Sequence, residues 1–156
     1  MLDMSSELYL ESSVIGCLLH AGLTPDAYDV LGSTEPAAFS NAFYSQVYTE
    51  IKRQANHKKM IDALLVAEAM GNEPGIFANV METVRSVPSA ANLKGYAKSL
   101  NEKFMIRSFA KLMESHYDKI TMAHNHDAAI VSIPDFIRQL MTIYRPGDEV
   151  VPVRIG

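Results

Sequence analysis

The chain has 156 residues, 48% of them apolar, and a formal net charge of −4. That length suits one globular domain with an appendage, and the acidic balance argues against a dedicated nucleic-acid binder, which is normally basic. Cys17 is the only cysteine, so an internal disulfide is excluded. No basic, then apolar leader and no apolar run approaching about 18 residues is present, so the expected location is the cytoplasm.

The hydrophobic pattern predicts helices almost throughout. The first runs over about Ser6–His20 with Leu10, Val14, Leu18 and Leu19 inward. Cys17 falls in that apolar run and is read as a small buried hydrophobe. Glu7 and Glu11 stand one helical turn apart, but no neighbouring pocket or base suggests acid–base chemistry. Ala21-Gly22 ends this helix, and Thr24-Pro25-Asp26 starts a short second one to about Leu31. Residues Gly32–Ala38 read as loop. Ser40 or Asn41 caps a third helix to about Ala55, with Phe43, Val47 and Ile51 on one face. Asp62 caps a fourth that reaches Met70, with Gly71 just past its end. Pro74 opens a fifth, with Ile76, Phe77, Val80, Met81 and Val84 inside.

Pro88 breaks the chain, and Ser89 is read as the N-cap of the next helix. A continuous helix from Ser89 to Met122 would span about 51 Å at 1.5 Å per residue. A compact chain of this size is only about 40 Å across. The apolar stripe also changes register, from Leu93, Ala97 and Leu100 to Met105, Phe109, Leu112, Met113 and Ile120. The expectation is therefore two helices that meet near Asn101–Phe104. His124-Asn125-His126-Asp127 is read as a turn. Pro134 then starts a return helix, Ile133–Tyr144, with Phe136, Ile137, Leu140, Met141 and Tyr144 apolar.

This hairpin carries more apolar surface than its inner seam can bury, which is a reason to expect self-association. The candidate contact residues are Met105, Phe109, Met113, Phe136, Leu140 and Met141. The expected organisation is a bundle over residues 1–103, the hairpin over 104–144 and a linker over 145–156. Lys52, Arg53, Lys58 and Lys59, the pair Lys94 and Lys98, and the line Lys103, Arg107 and Lys111 read as solvated helix faces. They lack the interleaved aromatics that base stacking needs, so no strong DNA binding is expected. His116, Asp118, His124 and His126 are close in sequence, but no histidine pair shares a helical face, and no metal site is expected.

The string SVPSAANLKGYA (residues 86–97) closely resembles the VPSAAN…YA segment in the N-terminal domain of DnaB-type replicative DNA helicases. LYLESSVIGCLLH (residues 8–20) is similar to that family's opening helix. Phe39, followed by Val47, Tyr48 and Ile51, resembles its Phe…Ile-Phe…Ile helix. Ile61-Asp62 with Leu64, Leu65 and Val66 resembles its Val-Asp…Val helix start. The resemblance runs over about residues 7–110, with Phe39, Asp62, Pro88, Ser89, Asn92 and Tyr96 as the matching motif positions.

The resemblance implies an all-α fold, a compact bundle of about six helices followed by a protruding αα-hairpin. It also implies N-terminal domains that pair through their hairpins, with three pairs forming a collar above a motor ring. Primase or a helicase loader is the implied partner, and no membrane is. ATP and magnesium would belong to the motor domain. None of the glycines here begins a G-x-x-x-x-G-K-[ST] segment, so no cofactor and no enzymatic activity are expected of this chain. The end at Val-Arg-Ile-Gly reads as an arbitrary stop, which favours a piece of a helicase. The alternative is a stand-alone, phage-derived regulator that joins or blocks a host helicase.

Overall fold

The computed structural model describes residues 4–71 and 73–144; the linker expected over 145–156 lies outside them. The described residues form α1 (Met4–Ala21), α2 (Pro25–Ser33), a 3-10 turn (Pro36–Ala38), α3 (Ala42–Lys58), α4 (Ala63–Ala69), α5 (Pro74–Arg85), α6 (Leu93–Thr121) and α7 (His126–Ile143). No strand occurs among them. The fold is all-α, and the chain divides into two compact units between Phe104 and Met105.

The first unit is organised around α1. Residues 13–19 are all buried, so this helix is enclosed on every side rather than amphipathic. Its neighbours include α3 and α5. Gly16 permits the approach to α5, because a Cβ there would lie 2.6 Å from the Thr83 carbonyl oxygen and 3.0 Å from Val87 Cγ2. Gly16→Ala is expected to push the helices apart and cost about 1–3 kcal/mol, as overpacking does. Urea unfolding measures this; an unchanged midpoint would show that α5 yields freely.

Local capping sets most helix starts. Thr24 Oγ1 accepts from Ala27 N–H at 3.1 Å, and Pro25 occupies the first turn of α2. Asn41 Oδ1 accepts from Tyr44 N–H at 3.1 Å, which makes Asn41 rather than Ser40 the cap of α3. Asp62 Oδ1 accepts from Leu65 N–H at 3.0 Å, and Gln54 Oε1 holds the Asp62 N–H at 3.1 Å. Gly71 follows α4 at φ +130°, a conformation that L side chains rarely adopt.

Longer-range polar bonds lock the loop residues 32–41. Thr34 is buried; its carbonyl accepts the Tyr48 hydroxyl at 2.6 Å, and its hydroxyl accepts the Asn101 amide at 3.0 Å. Burial pushes the Tyr48 phenol well above its ordinary pKa, so it stays a neutral donor. Residues 32–38, read from sequence as loop, instead hold the end of α2 and the 3-10 turn, because Pro36 and the Thr34 bonds order them.

Four other expectations are corrected. Ser89 does not cap α6: its Oγ accepts from Ala91 N–H at 3.2 Å in a tight turn, and the helix begins at Leu93. No break occurs near Asn101–Phe104; α6 is one helix of 29 residues. Asn101 spends its amide on Thr34 instead of competing for the helix backbone, and the change of stripe reflects a change of surroundings. Pro134 does not start the last helix. Asn125 Oδ1 accepts from Ala128 N–H at 2.8 Å and caps α7 at His126, so Pro134 lies inside. The bond that Pro134 cannot make is missing beside the solvent-facing Ile130, where water reaches the backbone. Finally, Phe77 is exposed; Thr83 and Val80 are the buried residues of α5.

Candidate interaction surface

Two features stand out: a carboxylate sealed in the bundle and an uncovered apolar face on the second unit. Glu11 is fully buried. Its Oε2 accepts from Ser40 N–H at 3.0 Å and Ser40 Oγ–H at 2.6 Å, and its Oε1 accepts from Asn41 N–H at 3.0 Å. The negative charge therefore faces the positive end of α3. Glu7, one turn earlier, is also buried and engaged. The sequence reading found no surroundings for this pair, yet the core encloses both. The Glu11 bonds are those of a structural clamp, with the carboxylate oxygens occupied by backbone and serine donors.

The second unit pairs the part of α6 after Phe104 with α7. The ring of His116 stacks on Phe136 at 4.2 Å, and Lys119 Nζ lies 3.9 Å from Asp135 Oδ2. Nearer the start of this stretch, Met105, Ile106 and Phe109 share a cleft with Leu140, Ile143 and Tyr144. Partners on α7 thus fall in number as those on α6 rise, which defines an antiparallel hairpin. On α7 the half-buried positions Ala129, Ser132, Phe136, Leu140 and Ile143 recur at three- and four-residue steps and form the inner seam. Beside them runs a second stripe, Ile130, Ile133, Ile137, Met141 and Tyr144, in which every residue is exposed.

No described residue from Met105 onward is buried. The cleft has a volume of about 400 Å³, and around it Ile106, Met113 and Ile137 are each about half exposed, at 53%, 51% and 52%.

The structure places the expected contact residues in three settings. Met105, Phe109 and Leu140 line the cleft. Met113 and Met141 are exposed beyond it. Phe136 is occupied by His116 within the hairpin. Ile106, Ile143, Ile130 and Val131 were missed. Ile130 stands three residues before Ile133 and continues its period, but Pro134 masked that signal. Among the described residues no group of three or more His, Cys, Asp or Glu side chains could hold a metal, and no helix is long and apolar enough to cross a membrane.

The motif residues serve the bundle. Phe39 is buried with its ring 4.7 Å from that of Tyr48. Asp62 caps α4, and Tyr96 is half-buried against the core. Pro88, Ser89 and Asn92 are exposed. Their segment is held by its neighbours: Val87 is buried at Gly16, and the Ser89 carbonyl accepts the Cys17 thiol at 3.6 Å. Burial pushes that thiol's pKa up, which removes it further from nucleophilic chemistry.

A bundle with a sealed internal carboxylate, followed in the chain by a hairpin with an open apolar face, defines an all-α domain of the helical-bundle-and-hairpin class. The sequence model of the DnaB-like helicase N-terminal domain matches residues 3–102, and the chain belongs to that family. The crystal structure of the N-terminal domain of DnaB helicase from Mycobacterium tuberculosis is similar, with a TM-score of 0.71 and 25% identity over 86% of this chain and 96% of that one. A DnaB-like replicative helicase, solved in a study of its interactions with primase, shares the fold with a TM-score of 0.69 and 17% identity. That match covers 90% of this chain, which spans only 32% of the helicase. No curated protein matches in sequence.

Proposed function

We propose that this chain is the non-catalytic N-terminal domain of a replicative DNA helicase, organising the hexameric ring through residues 104–144 and docking primase or a helicase loader in the cytoplasm. The observation that carries this reading is the uncovered apolar face of a unit in which no described residue is buried. Such a surface is covered in a working assembly. Met105, Phe109, Met113, Leu140 and Met141 supply the contact between copies, with Phe136 setting the hairpin spacing behind them. The primase interactions of the structurally similar helicase support primase as a partner. Sedimentation across a concentration series tests self-association; a chain that stays monomeric at high micromolar concentration overturns the collar role.

ATP and magnesium belong to a motor domain on this reading. Titration of the chain with Mg-ATP is expected to be flat, and saturable micromolar binding would overturn the non-catalytic assignment. Single-stranded DNA is expected to bind no better than the non-specific range of roughly 10⁻⁴ to 10⁻⁶ M at physiological salt. Arg53 pairs with Glu50, Lys94 with Asp29 and Lys119 with Asp135, so several surface cations already face carboxylates. Sub-micromolar affinity in an anisotropy titration, lost on replacing Lys94, Lys98, Lys103 and Arg107, would identify a DNA channel instead.

A further inference from the structure

Methionine is distributed unevenly over this surface. Met70 and Met81 of the bundle are half-buried, whereas Met105, Met113 and Met141 are exposed on the hairpin at 36%, 51% and 46%. Met105 lines the apolar cleft, and Met141 belongs to the open stripe of α7. Met122 is more exposed still, at 79%, but it lies past the end of α6 and outside both stripes. Leucine or isoleucine would supply the same apolar area, as Ile106, Ile133 and Ile137 do alongside. A thioether adds polarizability, an adaptable shape and sensitivity to oxidation.

We propose that Met105, Met113 and Met141 form a peroxide-sensitive site that controls association of the hairpin face with a second copy of this chain. The proposal rests on the collar reading. The thioether sulfur attacks one oxygen of a hydroperoxide; the sulfur–oxygen bond forms, the oxygen–oxygen bond breaks, and water or an alcohol leaves. Sulfur is oxidised by two electrons and the peroxide is reduced by the same two. The sulfoxide is polar and chiral, so it no longer fits an apolar contact, and a methionine sulfoxide reductase restores it. Association and oxidation then compete for the same three side chains: the free chain exposes them, the associated chain covers them, and oxidation holds the copies apart.

The test uses the whole chain and hydrogen peroxide. Sedimentation should show the dissociation constant rising at least tenfold after treatment, and reductase with a thiol reductant should restore it. The triple variant M105L/M113L/M141L should associate as the untreated chain does and should ignore peroxide. Peptide mass spectrometry provides a second readout on the wild-type chain. Sulfoxide formation at Met113 and Met141 should slow as protein concentration passes the dissociation constant, while Met122 oxidises at an unchanged rate. If the wild type associates but peroxide leaves its dissociation constant unchanged, or if the leucine variant is equally sensitive, the methionine site is overturned while the collar reading stands. Equal protection of Met122 also overturns it. A wild type that never associates overturns both.

Discussion

Replacing Phe109 or Leu140 with glutamate is expected to convert the self-associating chain to monomer while its helix content stays nearly unchanged. Both side chains line the cleft of the hairpin, on opposite helices. Neither belongs to the buried core, which ends at Leu100 among the described residues, so folding of the bundle does not depend on them. A carboxylate placed in an apolar contact must be desolvated without a partner or must keep the copies apart. A loss of about 3 kcal/mol corresponds to at least a hundredfold weaker association. Sedimentation velocity with circular dichroism on the same samples measures both quantities. Unchanged association in both variants would move the contact away from this cleft. Collapse of the helix signal would mean that the cleft residues hold the fold.

The largest expected loss of stability comes from Glu11→Ala. That change removes the acceptor of three hydrogen bonds and leaves the Ser40 N–H, Ser40 hydroxyl and Asn41 N–H without it. A stranded donor costs about 1–3 kcal/mol when water cannot reach it. Ser40 is exposed, so water answers part of the demand, and the expected total is about 2–4 kcal/mol. For a chain of this size that lowers the melting temperature by roughly 6–12 °C. Glu11→Gln keeps the volume and one acceptor oxygen, and should cost about half as much. Thermal and urea denaturation of the three proteins decide the matter. A loss below about 1 kcal/mol for the alanine variant would show that the clamp contributes little beyond filling space.

Much of the bundle was legible in the sequence, because its signals act over one helical turn. Thr24 and Asp62 each bond a backbone N–H three residues ahead, and Pro25 and Pro74 sit in first turns, so short-range rules locate those starts. The buried faces of α1 and α3 are set by periodicity: Val14, Leu18, Val47 and Ile51 are all in the core. The motif resemblance over residues 86–97 pointed to the family that the sequence model then matched. The hairpin's apolar excess was legible too, as a count of side chains with too little of their own bundle to cover them.

What the sequence could not decide depends on partners far away along the chain. Glu7 and Glu11 read as surface carboxylates until the folded core encloses them, since the donors that satisfy Glu11 come 29 and 30 residues later. Asn101 read as a helix end until Thr34, 67 residues away, takes its amide and leaves the helix continuous. Ser89 read as a cap, yet its turn is set where Val87 meets Gly16 and Cys17 meets the Ser89 carbonyl. Pro134 read as a helix start, yet the cap at Asn125 and the seam against α6 carry α7 through it. Local propensity costs or gains only about 1–3 kcal/mol per residue, and a buried bond or a packed seam is large enough to reverse it. The sequence by itself therefore determined where most helices form and which faces are apolar. Only the tertiary structure decided which polar groups lie inside, how far α6 and α7 extend and which apolar stripe remains uncovered, because those outcomes depend on what each side chain meets after the chain has folded.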